Sequence, residues 1–231
     1  MPGTILITGA NRGIGLEMTR QFAADGWQVF ACSRDIPAAD ELRALREQYR
    51  KVQLFQLDVT DYDQMAALGK ALWDQPIDIL LNNAAYYGPK GVAFGTVDLD
   101  EWRRVLECNT IAPYKLAETF SRNVADSARK VIAVMSSKVG SIADNSSGGG
   151  YIYRSSKTAV NQVVKSLSVD LRGQDISVIA LHPGWVKTAM GGPNALISAG
   201  ESVAGLRKVL LETDLERSGR FYNYDGSEIP W

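Results

Sequence analysis

The 231-residue sequence contains one histidine, His182, and two cysteines, Cys32 and Cys108. Metal centres and thiolate chemistry draw on clusters of such residues at short spacing, and this chain has no CxxC pair and no metal-ligand spacing. A metal site or a Ser-His-Asp triad would have to be built around His182 alone. That residue precedes Pro183 and reads as a structural strand-end residue, so no metal is expected. The cysteines are expected to be reduced, as in a cytoplasmic protein. Charge of one sign is lacking too: 25 Lys and Arg face 26 Asp and Glu, for a formal net charge of −1. No global field draws the chain to nucleic acid or to an anionic membrane. Long apolar runs are missing. Ile77 to Leu81, interrupted by Asp78, is far short of the roughly 20 residues a spanning helix needs. Thr4-Ile5-Leu6-Ile7 already reads as a strand, which is expected to leave no room for a signal peptide.

What is present is alternation. Short apolar runs read as strands at Thr4–Thr8, Gln28–Ser33, Val52–Leu57, Ile77–Leu81, Lys130–Met135, Ile176–Leu181 and Phe221–Tyr224. Several are apolar almost throughout, as strands covered on both faces should be. Amphipathic segments between them predict helices at Gly13–Asp25, Ala39–Tyr49, Tyr62–Trp73, Leu99–Arg122, Tyr153–Leu171 and Glu201–Leu211. The repeated βαβ pattern implies an α/β fold of the Rossmann type: a doubly wound parallel sheet of about seven strands with helices on both faces. Residues 1–231 are expected to form a single dinucleotide-binding and catalytic domain. Asp61 is a candidate N-cap for the third helix. Pro113 should kink or break the fourth. Asn145-Ser146-Ser147-Gly148-Gly149-Gly150 reads as a flexible loop rather than a linker.

Two segments carry chemistry. Thr8-Gly9-Ala10-Asn11-Arg12-Gly13-Ile14-Gly15 joins the first strand to the first helix. Glycine lets the chain turn sharply and lets its amides approach a diphosphate, and a helix N-terminus favours negative charge. The spacing is Gly-x-x-x-Gly-x-Gly rather than Gly-x-Gly-x-x-Gly. After the second strand, Ser33-Arg34-Asp35 occupies the place that faces an adenosine ribose. An arginine there binds the 2′-phosphate of NADP, and an acid the 2′-hydroxyl of NAD. Arg34, with Arg12, favours NADP(H); NAD(H) is the alternative if Asp35 points inward.

The second segment is Tyr153-Arg154-Ser155-Ser156-Lys157. Residues four apart share a helical face, so the Lys157 ammonium can stabilise a Tyr153 phenolate and lower a pKa that is ordinarily about 10. Ser136-Ser137 and Asn82-Asn83-Ala84-Ala85 end strands at the edge where open parallel sheets bind ligands. A turn or capping role is the alternative for the asparagines. Met190 and Trp185 are candidates for the substrate entrance, and Tyr86, Tyr87 and Trp231 are unranked aromatic contacts.

These residues together resemble the short-chain dehydrogenases/reductases over nearly the whole chain. Asp58, Asn109 and Pro183-Gly184 add to the match. The run Tyr151 to Lys157, the run His182-Pro183-Gly184-Trp185-Val186 and the ending Asn223-Tyr224-Asp225-Gly226 are similar to the C-factor and sniffer-like carbonyl reductase branch. The resemblance implies an oxidoreductase that moves a hydride between nicotinamide and a carbonyl or alcohol substrate. Tyr153 would exchange the proton, Lys157 would bind the nicotinamide ribose, Ser137 would orient the substrate oxygen, and Asn109 would hold a relay water near Lys157. Gly9, Asn11, Arg12, Gly13, Ile14 and Gly15 would cradle the cofactor. Asp58 and Val59 would meet the adenine, Asn83 and Ala84 the adenosine side, and Pro183, Gly184, Val186 and Thr188 the nicotinamide or diphosphate. The resemblance also implies a homodimer or homotetramer. Two departures stand out: the segment from Ser137 to Tyr153 is long, which blurs the choice between Ser136 and Ser137, and the segment after Thr188 is short, which suggests an open site. The alternative function is a cofactor-binding signalling or interaction protein of the C-factor type with little turnover.

Overall fold

The computed structural model describes residues 2–231. Its strands are β1 (Thr4–Thr8), β2 (Gln28–Ser33), β3 (Val52–Gln56), β4 (Ile79–Asn82), β5 (Val131–Met135), β6 (Ser177–His182) and β7 (Phe221–Asn223). They form one sheet in the order β3-β2-β1-β4-β5-β6-β7. Every pairing is parallel. Helices α1 (Gly13–Ala24), α2 (Asp40–Gln48) and α7 (Ala199–Leu211) cover one face, and α3 (Tyr62–Ala71), α4 (Leu99–Leu106), α5 (Ala112–Ala125) and α6 (Tyr151–Asp170) the other.

Alternation along the strands explains the two cores. Successive side chains of a strand point to opposite faces. Ile5, Ile7, Val29 and Ile79 pack with Met18, Phe22 and Leu206, whereas Leu6, Phe30, Leu80 and Ile132 pack with Phe120 and Val160. Burying each of these side chains contributes roughly 1.5–3 kcal/mol, which is why the central strands are apolar on both faces. The order of strands reverses between β1 and β4, so their carboxyl ends open the crevice in which such sheets bind ligands.

The expected elements are all present, with shifts that have local causes. β4 begins at Ile79 rather than Ile77. The Asp78 carboxylate accepts from Thr4 N at 2.8 Å, and Ile77 N donates to Asn123 O, so both precede the ladder. Asp61 caps α3, accepting from Gln64 N at 3.0 Å. Ser198 caps α7, which begins two residues before the expected Glu201. The helix predicted over Leu99–Arg122 is two α-helices joined through a π turn at Glu107–Ile111. Pro113 therefore neither kinks nor ends a regular helix. It lies in the first turn of α5, where a missing N–H is tolerated. Gly148, Gly149 and Gly150 all take left-handed φ, between 59° and 63°, and α6 starts at Tyr151, placing Tyr153 in its first turn.

Candidate active site

A cavity of about 1610 Å³ runs along the carboxyl edge of the sheet, from the glycine loop past Arg34 and Asp58 to Ser137, Tyr153 and Lys157. At its phosphate end, Gly9 and Gly13 have φ of 65° and 55°. A Cβ on Gly15 would lie 2.2 Å from the Gly9 carbonyl oxygen. Glycine is required there because strand and helix approach so closely. Arg12 is the N-cap residue of α1 and offers no side-chain cap, which leaves the first amides of α1 for a ligand. Asn83 braces this loop: its Nδ2 donates to Thr8 O at 2.8 Å and Gly9 O at 3.2 Å. The Thr8 hydroxyl accepts from the amides of Asn83 and Ala84, both at 3.0 Å. The Asn83 side chain thus ties β1 to β4 across the switch point. A Cβ on Gly13 would meet Thr188 Cγ2 at 3.3 Å, so the segment after β6 closes on the glycine loop.

At the ribose position the two candidates separate. Asp35 turns a carboxylate oxygen back to accept from Ala38 N at 3.0 Å. Arg34 and Asp35 are both exposed and both line the cavity, and the Asp35 bond to Ala38 N is what sets them apart. Asp58 directs one oxygen to Thr60 N and Oγ1, at 2.9 and 2.7 Å, beside the buried Val59.

At the other end the serines separate as well. Ser136 is buried and donates to Asn161 Oδ1 at 2.6 Å. Ser137 is half-buried and faces the cavity, with its backbone opening a short 3₁₀ turn. Lys157 is only 2% exposed and donates to Met135 O at 2.8 Å, with Nζ 5.6 Å from the centre of the Tyr153 ring. Burial lowers the Lys157 ammonium to about 8. Burial also pushes the Tyr153 phenol above its ordinary value, and the neighbouring Tyr87 adds to the rise. Desolvation is the larger cause of that rise.

Asn109 sits in the π turn, buried. Its Oδ1 accepts from Tyr86 N at 2.8 Å, and its Nδ2 donates to Tyr86 O at 2.9 Å and Ser156 Oγ at 3.0 Å. The side chain clamps the loop at Tyr86 to α6. Pro183 O accepts from Ser202 Oγ at 2.5 Å, Gly184 has φ of 81°, and Val186 is buried. In the short segment after Thr188, Met190 O accepts from Lys90 Nζ at 3.2 Å, which joins it to the loop after β4. His182 lines the cavity at the end of β6 and is pushed down to about 4, chiefly by burial, so it is neutral at pH 7. Among the described residues no cluster of three or more His, Cys, Asp or Glu could hold a metal ion.

Sequence reasoning left Tyr87 unranked and did not single out Lys90 and Arg154, which also line the cavity. The Tyr87 ring stacks on that of Tyr153, with centroids 4.4 Å apart. Only its adjacency to Asn82-Asn83-Ala84-Ala85 could have drawn attention to it.

The short chain dehydrogenase family matches residues 3–196. The chain belongs to that family. It is 39% identical over 167 residues to the C-signal protein of Myxococcus xanthus, covering 72% of this chain and 100% of that protein. The carbonyl reductase Sniffer of D. melanogaster superposes with a TM-score of 0.94 at 34% identity, over 100% of both chains. An NADPH-bound carbonyl reductase from chicken fatty liver gives 0.92 at 33% identity, over 99% of this chain and 98% of that one. The relatives lie in the C-factor and sniffer-like branch that the sequence resembles. The dinucleotide-dependent oxidoreductase class and the Rossmann-type sheet follow from this membership.

Proposed function

We propose that the protein is an NADP(H)-dependent carbonyl reductase, or the reverse alcohol dehydrogenase, and that residues 1–231 act as one dinucleotide-binding and catalytic unit. The observation that carries this reading is one cavity with a glycine cradle and Arg34 at one end and Ser137, Tyr153 and Lys157 at the other. The cradle fits a dinucleotide: Gly9 and Gly13 turn the chain at positive φ, and the free first amides of α1 suit a diphosphate. The NADPH bound by the chicken carbonyl reductase supports the same cofactor here. Bound NADP(H) supplies the hydride exchanged with the substrate carbon.

The residues do the rest. Gly9, Asn11, Arg12, Gly13, Ile14 and Gly15 would hold the diphosphate, Arg12 and Arg34 the 2′-phosphate, and Asp58 and Val59 the adenine. Asn83 and Ala84 keep the crevice open at the adenosine side. Pro183, Gly184, Val186 and Thr188 border the nicotinamide. Ser137 donates to the carbonyl oxygen, which its unengaged hydroxyl suits. Tyr153 gives that oxygen its proton. A phenol raised by burial is neutral at pH 7, the form that reduction requires. Lys157, charged below about pH 8, stabilises the phenolate that develops. Asn109 serves the site by holding the loop at Tyr86 and by shaping the π turn beside Lys157.

The test is Tyr153→Phe, which should abolish turnover of carbonyl substrates and leave NADPH binding intact; retained turnover would sink the mechanism. The signalling alternative is disfavoured, because the proteins this chain is similar to include an NADPH-bound carbonyl reductase. The same reading extends to a cytoplasmic location and to a homodimer or homotetramer through α4–α5 and α6, where Ile111, Tyr114 and Val169 are exposed. No helix is long and apolar enough to cross a membrane among the described residues.

A further inference from the structure

Tyr87 lies on the loop between β4 and α4, and the residues on either side of it are fixed. Tyr86 is held through both its amide and its carbonyl by Asn109. Gly88 has φ of 75°, and a Cβ there would lie 2.9 Å from Val105 Cγ2 and 3.5 Å from Ile152 Cγ2. Only glycine lets the loop lie down between α4 and α6 at this point. Between these anchors, the Tyr87 ring stacks on Tyr153 with centroids 4.4 Å apart and 25° between the planes. Lys90 Nζ stands 5.4 Å from the centre of the Tyr87 ring and ties the same loop to Met190 O across the cavity.

Tyr153 itself sits where its helix constrains it least. It occupies the first turn of α6, directly after three left-handed glycines that have no side chains to pack. The loop stack supplies the restraint that this position lacks.

We infer that Tyr87 is a positioning residue of the site, whose ring face fixes the orientation of the Tyr153 ring and shields it from water. The inference rests on the reading of Tyr153 as the proton-transfer residue. It requires the face of Tyr87 and not its hydroxyl. Proton transfer demands a phenol held within hydrogen-bond reach of the substrate oxygen, and a displacement of about 1 Å costs up to about a hundredfold in rate. The titratable groups facing Tyr153 are Lys157 from its own helix and Tyr87 from the loop, with Lys90 beyond the Tyr87 ring.

The experiment compares Tyr87→Phe with Tyr87→Leu in the full chain, using NADPH and benzaldehyde for turnover. Ionisation of Tyr153 is followed by ultraviolet titration, as the difference between each protein and the same protein carrying Tyr153→Phe. Tyr87→Phe should stay close to the parent in turnover, and any fall in its Tyr153 ionisation, from loss of the Tyr87 hydroxyl, is the reference for the other variants. Tyr87→Leu should lose about tenfold or more in kcat, with NADPH affinity kept. Its Tyr153 ionisation should move down further than that of Tyr87→Phe as water reaches the ring. If Tyr87→Leu does not fold, Tyr87→Met removes the aromatic face and keeps the bulk. The titration reads the stack even where benzaldehyde is a poor substrate. Loss of the face with no change in Tyr153 ionisation beyond that of Tyr87→Phe overturns the inference, as does equal impairment of the Phe and Leu variants. A Tyr153→Phe protein that still turns over would instead defeat the reading of Tyr153, whatever the Tyr87 variants do.

Discussion

Lys157 reaches from α6 to the carbonyl oxygen of Met135 at the end of β5, 2.8 Å away, and holds its ammonium 5.6 Å from the centre of the Tyr153 ring. One hydrogen bond thus joins the helix that carries the phenol to the strand end that carries the serines. The ammonium is placed by the sheet as much as by the helical spacing that makes Tyr153 and Lys157 neighbours.

That burial sets a pH dependence. Lys157 is lowered to about 8, so its cation is present below that pH and lost as pH rises through it. The kcat/KM for carbonyl reduction should therefore fall on the alkaline side, because this parameter reports the enzyme before the carbonyl binds. A flat profile through pH 9 would show that the charge of Lys157 does not assist the step.

Arg34 and Asp35 make opposite predictions about cofactor choice. With the Asp35 carboxylate turned to Ala38 N, Arg34→Ala should weaken NADPH by about tenfold or more, the worth of a charge-assisted contact. NADH affinity should barely change. Fluorescence titration with the two cofactors measures both; equal losses would remove Arg34 from the 2′-phosphate site.

The adjacent serines should respond in opposite ways. Ser136→Ala leaves Asn161 Oδ1 buried without its donor and should cost roughly 1–3 kcal/mol in urea denaturation. Ser137→Ala should leave stability within about 0.5 kcal/mol. It should lower kcat/KM about a hundredfold, as loss of a donor to a developing oxyanion does. The reverse pattern would exchange their roles.

Asn109→Ala should cost both stability and turnover. It strips partners from the Tyr86 amide and carbonyl, and roughly 1–3 kcal/mol of stability should go with them. Denaturation midpoints measure the first effect. An unchanged midpoint would mean that the loop at Tyr86 is held by other contacts.

Local pattern alone carried much of this protein. The apolar strand runs, the glycine turn between β1 and α1 and the Tyr153–Lys157 spacing are short-range features. Each states a backbone conformation or a shared face within a few residues, and the parallel order of the sheet follows from how such units must cross over. Only tertiary structure could decide the rest, because the deciding partners are distant in sequence. Asn161 and Ser136, Asn109 and Tyr86, and Lys90 and Met190 are 25, 23 and 100 residues apart. The π turn that replaces a simple break near Pro113 places Asn109 where it can reach that loop. The phenol of Tyr153 is raised by burial and by Tyr87, both properties of the assembled site rather than of the Tyr153–Lys157 spacing.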